Sequence, residues 1–193
     1  MKITSRFSLM SFTLIAPLLP LCGCQSGGGA PMSGHTPPES SLSAEAKAAY
    51  KQLLAVNEGA AALAKEAKGV LVFPSIIKGG FIIGGFHGEG AKLQNGRVTG
   101  YYDTTAVSYG LQAGLQTYAY ALFFMNDKDL HYLDSSSGWE IGVGPTVTIV
   151  DEGVARSLTT TTLRSGVYCF FFDQKGLMAG LGLQGSKITR LDR

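Results

Sequence analysis

Polar and apolar positions along this chain keep three different patterns in turn. The first twenty-three residues, MKITSRFSLMSFTLIAPLLPLCG, put Lys2 and Arg6 ahead of a mainly apolar run, which is the layout of an export signal and not of a spanning helix. Residues 25–43 have no apolar period and are rich in Ser, Gly and Pro, so they are expected to form a flexible tether. From residue 44 to residue 68 the apolar positions Tyr50, Leu53, Leu54, Ala60, Ala61 and Ala64 recur at helical spacing. That predicts an amphipathic helix capped by Ser43 and closed by Gly69, with Gly59 a point at which it divides or runs on.

After Gly69 the period drops to two, and the remainder reads as short strands between turns. Residues 70–73 form a strand that ends at Pro74-Ser75, and residues 76–93 form another that meets Asn95-Gly96, a strong two-residue hairpin signal. Strands over 98–102 and 107–125 follow, then Asn126 caps a short helix through Leu133. Residues 139–150 read as one strand, and residues 167–172 pair with 177–191 as a last hairpin around 173–176. Residues 154–166, with threonine at 159–162, fit an edge strand or an exposed loop equally. The expected class is α+β: an N-terminal amphipathic helix over residues 44–68 packed on a strongly twisted, mainly antiparallel, glycine-rich sheet or barrel-like sandwich within a single domain, 44–193.

Glycine is the composition feature that changes this picture. The chain has 26 glycines in 193 residues, roughly twice the usual ~7%. They fall at i, i+2 in three expected strands: Gly88 and Gly90, after the adjacent Gly84 and Gly85, in KGGFIIGGFHGEG (78–90), Gly142 and Gly144 in 139–150, and Gly180 and Gly182 in 177–191. Glycine weakens a strand by adding unfolded-state entropy and offering nothing to pack. Two uses offset that cost: sharp coiling of the sheet, or close approach by a helix or ligand.

The order of motifs AKGVLVFPSIIKGGFIIGGFHGEG (67–90), GLQAGLQ (110–116), FFMND (123–127), W-x-I-G (139–142) and KGLMAGLGLQGSKITR (175–190) resembles the SYLF domain family. The resemblance covers about residues 46–192. It implies a lipid-binding module, with phosphoinositide binding in eukaryotic relatives and actin binding and bundling in yeast endocytic ones. Leu21-Cys22-Gly23-Cys24 is similar to the lipobox of bacterial lipoproteins, which implies cleavage before Cys24 and acylation there. Leu21 stands where a small residue would be needed for Cys22 to be the acceptor. Gln25 after the acylated cysteine resembles lipoproteins sent to the outer membrane. An envelope lipoprotein meets neither actin nor phosphoinositides, so another lipid or an envelope protein is the expected partner.

Charge and chemistry narrow the function further. Sixteen Lys and Arg face fourteen Asp and Glu, and losing Lys2 and Arg6 with the signal leaves an even balance, so nucleic acid has no net-charge basis as a partner. With Cys22 removed and Cys24 acylated, Cys169 is alone, which excludes a disulfide framework within the chain. In VYCFFF it reads as a small buried hydrophobe.

GLGLQGSK (180–187) is not a phosphate loop, because Ser186 separates the last glycine from Lys187. No G-x-S-x-G elbow is present. Residues 110–125, broken by Gln112 and Gln116, are too short and polar to span a bilayer as a helix. His87 and Glu89 share a strand face and are the one pair able to begin a metal or acid–base site, although no third ligand is evident. No cofactor and no enzymatic activity is expected. The expected function is lipid or membrane contact, with Lys47, Lys51, Lys65, Lys68 and Lys78 meeting headgroups. The alternative is a structural lipoprotein whose glycine face receives an envelope protein.

Overall fold

The computed structural model describes residues 39–150, 166–176 and 185–192. Helices α1 (Glu39–Val56) and α2 (Glu58–Glu66) precede two long strands, β1 (Gly69–Gln94) and β2 (Arg97–Phe124). Helix α3 (Asp127–Ser135) and strands β3 (Trp139–Glu140), β4 (Val147–Ile149), β5 (Val167–Gly176) and β6 (Lys187–Leu191) follow. The α+β class is as expected: helices at the N-terminal side pack on a strongly curled, mostly antiparallel sheet. Among the described residues its order is β3-β6-β2-β5-β4 with β1 also on β2, and the β4–β5 pair is parallel.

Helix α1 starts at Glu39, not after Ser43, because Leu42 continues the apolar stripe one turn earlier and is buried with Ala46 and Leu53. Ser43 lies inside the helix, where its hydroxyl hydrogen-bonds the Tyr101 hydroxyl at 2.7 Å. The division falls at Asn57 and not at Gly59. The Asn57 side chain accepts a 2.9 Å hydrogen bond from the Ala60 N–H and so caps α2, a task for which asparagine is far better suited than a mid-helix residue. Asn126 caps α3 in the same way through the Asp129 N–H. Asn95 and Gly96, at φ 50° and 74°, make the expected hairpin turn.

The strands differ from expectation in length. Pro74-Ser75 does not end a strand: it is a bulge, between Phe73 and Ile76, within a continuous 26-residue β1. A bulge tolerates proline because no ladder hydrogen bond is asked of it. The two strands expected over 98–102 and 107–125 are likewise one, the 28-residue β2. Residues 139–150 are not one strand, because positive φ at Gly142 and Gly144 (104° and 112°) turns the chain between β3 and β4. β5 lies along residues 116–124 of β2 and β6 along residues 101–105, so Lys187–Leu191 does not pair with β5, and residues 177–184 of the expected hairpin lie outside the described residues. The tether up to residue 38, residues 151–165 and the glycine stripe at Gly180 and Gly182 lie outside the described residues.

Both faces of the sheet are buried where β1, β2 and β5 run side by side. Val70, Val72, Ala121, Phe123, Tyr168 and Phe170 pack under α1 and α2. Leu71, Phe73, Tyr120, Leu122, Phe124 and Cys169 pack on the opposite side with Leu130 and Leu133 of α3 and with Trp139. Runs such as VLVF and YALFF therefore show no alternation, as strands covered on two faces should not.

The glycines of KGGFIIGGFHGEG let β1 fold on itself. A Cβ at Gly90 would stand 2.6 Å from both the Val72 carbonyl oxygen and Phe73 Cδ1, and one at Gly88 2.6 Å from the Ser75 oxygen. At the turning point a Cβ on Gly80 would meet the Gly84 backbone. The second half of β1 thus lies across its first half, and what needs the vacated space is the strand's own backbone.

Candidate functional site

Four of the five lysines singled out in the sequence surround one groove. Lys47 and Lys51, one turn apart on α1, stand beside Lys65 in the last turn of α2 and Lys68 at the entry to β1. The groove has a volume of about 660 Å³, and Tyr50, Leu54, Ala64, Val70 and Leu93 supply apolar lining. Its far wall is the Asn95-Gly96 turn, so the hairpin signal that pairs β1 with β2 also closes the site. No carboxylate is among the lining residues.

Local geometry sets where these lysines stand on the backbone. The stripe Leu42, Ala46, Leu53 points α1 into the core, which leaves Lys47 and Lys51 exposed at its margin beside Tyr50 and Leu54. The Tyr50 ring sits 6.2 Å from that of Phe123, and burial pushes the Tyr50 hydroxyl above its usual pKa. The Lys68 N–H donates to the Phe124 carbonyl at 2.8 Å, pinning the α2–β1 link to β2. Concave, mostly apolar surface with a few converging charges is the arrangement of small-ligand sites. This one is suited to an anionic group attached to an apolar body.

Lys78 is not part of the groove. It lies near the bend of the β1–β2 hairpin, opposite Gln116. The close-packing glycines also divide. At Gly85 a Cβ would meet the Ala106 oxygen at 2.7 Å, and Gly84 lies against Gly80. Gly142 is not closely packed: nothing lies within 4 Å of its absent Cβ, and its role is the turn. Gly144 combines the turn conformation with close approach of the Tyr132 ring, from which a Cβ would stand 2.8 Å. Gly80, Gly88 and Gly90, in the same glycine-rich stretch, approach their neighbours more closely still, an added Cβ standing 2.6 Å or less from the nearest atom at each.

His87 and Glu89 do share a face, and the residue that joins them is Asp103, directly across from Glu89 on β2. Burial pushes the Asp103 carboxyl above the usual carboxylate range and Glu89 adds to this, against the pull of His87 and Lys187. The partner could not be found by counting back from the Asn95-Gly96 turn, which sets Tyr102 opposite Glu89. The irregularity between Lys92 and Leu93 advances the register by one. Among the described residues no group of three or more His, Cys, Asp or Glu side chains is placed to hold a metal ion. Cys169 is fully buried, and burial pushes its thiol pKa up, as befits a packed residue and not a nucleophile. His131 is exposed on α3.

On the opposite side Lys92, 3% exposed, donates to both oxygens of Asp134 on α3, at 2.5 and 2.7 Å, and the Tyr102 hydroxyl donates to the same carboxylate at 2.6 Å. This buried set clamps α3 to the hairpin.

Residues 105–193 match the model of the Ysc84 family, described as Las17-binding protein, actin regulator. The match begins within β2, so the groove, lined by residues between Ala44 and Gly96, lies ahead of it. No curated protein matches the chain.

Proposed function

We propose, for a chain whose residues 105–193 match the model of the Ysc84 (SYLF) family, that it is a non-enzymatic lipid- and membrane-binding domain of an envelope lipoprotein. Acyl chains on Cys24 hold it to the outer membrane, and the lysine-rimmed groove receives an anionic lipid headgroup. The observation that carries this reading is the convergence of Lys47, Lys51, Lys65 and Lys68, from three segments, on one apolar-floored groove without a carboxylate. Two or more acyl chains make the anchor stable where one would be marginal.

Sedimentation with vesicles tests it, using the processed chain from residue 24 on with Cys24→Ser, so that neither the apolar export signal nor an acyl anchor contributes. Vesicles containing phosphatidylglycerol should carry the chain down, and purely zwitterionic ones should not. A lysine beside an anionic surface contributes about 1 kcal/mol, so replacing all four with glutamine should weaken binding by roughly 1,000-fold. Absence of binding to any vesicle would remove the reading. The family description names a protein partner for its members, and stoichiometric capture of one acidic envelope protein by the groove, indifferent to lipid, would favour the protein-binding alternative.

A further inference from the structure

The bend of the β1–β2 hairpin leaves an apolar surface that the lysine groove does not use. Ile77, Ile83, Val107 and Leu115 are 56%, 59%, 69% and 63% exposed. All four fall on the face of the hairpin that α1 and α2 cover further along. Two of the four stand directly opposite glycines: Leu115 opposite Gly79, and Val107 opposite Gly85. Bare backbone on one strand leaves the aliphatic side chain on the other standing proud. Beside them, Ile77, Gly79, Gly85, Phe86 and Ala106 line an apolar notch of about 550 Å³, edged by His87 and Thr105.

Aliphatic side chains exposed together in this way mark an interaction surface, and charge says which kind. Residues 74–88 and 104–118, the thirty that make the bend, contain no Asp or Glu, and their Lys, Arg and His are Lys78 and His87 alone. A protein surface offers a neighbour mixed charges to pair, and this stretch has none of the acidic half. An apolar tip whose own residues carry no carboxylate, with a lysine alongside, matches one occupant, the interfacial zone of an anionic bilayer, where aliphatic side chains enter the acyl region and ammonium groups stay at phosphate level.

We infer that the hairpin bend is a second membrane contact, an insertion wedge in which Ile77, Ile83, Val107 and Leu115 enter the acyl layer. This rests on the membrane reading above but not on the lysine groove. The groove lies at the other end of the hairpin, seven strand residues along β1 from its lining residue Val70 to Ile77, or at most about 23 Å at 3.3 Å per residue.

The experiment uses the processed chain from residue 24 on with Cys24→Ser, so that no export signal or acyl anchor contributes and a polarity-sensitive dye attaches only at a new cysteine, Cys169 being fully buried. Val107→Cys places the dye at the bend and Thr99→Cys, exposed near the Asn95-Gly96 turn, places it at the other end. With vesicles of phosphatidylethanolamine and phosphatidylglycerol, the dye at residue 107 should shift to the blue and be quenched by acyl-chain spin labels. At residue 99, beside the groove, it should not be quenched by those labels. Ile83→Ser with Leu115→Ser, both at exposed positions, should weaken vesicle binding by about tenfold or more, with the melting temperature of the parent.

Vesicle binding with the residue 107 dye still in water would overturn the wedge and leave the groove reading standing. Loss of all vesicle binding by the parent chain would overturn both. A blue shift without lipid that tracks self-association would assign the patch to a second copy of the chain and overturn the wedge alone.

Discussion

Gly90 lies against Phe73, seventeen residues earlier in the same strand, so closely that a methyl group on Gly90 would stand 2.6 Å from Phe73 Cδ1 and 2.6 Å from the Val72 carbonyl oxygen. Backbone cannot give way as a flexible side chain can. Gly90→Ala and Gly88→Ala are each expected to lower stability by about 1–3 kcal/mol, the usual range for overpacking. Gly79→Ala should change it little, since its closest neighbour would be the tip of the Leu115 side chain at 3.3 Å. Urea unfolding of the three variants checks the ranking. Equal effects at all three would mean that lost chain entropy, and not the fold-back, governs these positions.

The clamp between Lys92 and Asp134 should be sensitive to which partner is lost. Asp134→Ala leaves a 3%-exposed lysine without its carboxylate and is expected to cost about 3–5 kcal/mol, the range for breaking a buried pair, softened because Asp134 itself is 30% exposed. Thermal unfolding measures this, and limited proteolysis should find α3 released first.

The same pair sets an acid limit. Burial raises the Asp134 pKa, but hydrogen bonds from Lys92 and Tyr102, with the charges of Lys92 and Arg190, outweigh it and hold the carboxyl below its ordinary value. A carboxyl depressed in the folded state contributes stability that is present above its unfolded pKa of about 3.9 and is lost as pH falls through the folded value. The unfolding free energy of the parent chain should therefore fall below about pH 4 by more than that of Asp134→Asn.

Asp103 has the opposite sign. Its raised folded pKa makes the ionised form a burden on the fold, fully present once pH is above that value and relieved as pH falls toward the unfolded pKa. Asp103→Asn is expected to raise the melting temperature at pH 7, with the gain shrinking at acid pH. A melting temperature unchanged at pH 7 would show that His87 and Lys187 already neutralise the carboxylate.

Acylation should depend on one cysteine. Metabolic labelling with a palmitate analogue is expected to mark the parent chain and Cys22→Ser alike and to leave Cys24→Ser unlabelled. Label lost from Cys22→Ser and kept by Cys24→Ser would move the anchor two residues upstream.

What the chain encodes locally was legible without coordinates. Caps at Asn126, the Asn95-Gly96 turn, the apolar stripe of the helices and the burial of Cys169 depend on neighbours within a few residues, and periodicity reports them. The groove lysines were legible for the same reason, since Lys47 and Lys51 are one turn apart on a recognisable helix and Lys65 and Lys68 end the next. Their convergence on the hairpin turn was not, because it is fixed by how the helices lie on the sheet.

Tertiary structure alone decided the rest. Pro74-Ser75 has the composition of a strand end, yet pairing with β2 on both sides carries β1 through it as a bulge. A single irregularity between Lys92 and Leu93 makes Asp103, and not Tyr102, the neighbour of Glu89, because a strand's side chains alternate and a one-residue shift exchanges the two faces. The glycines of KGGFIIGGFHGEG announced that something must come close. That it is the strand's own first half follows from contacts between residues as much as eighteen apart, which no local pattern of apolar and polar positions records.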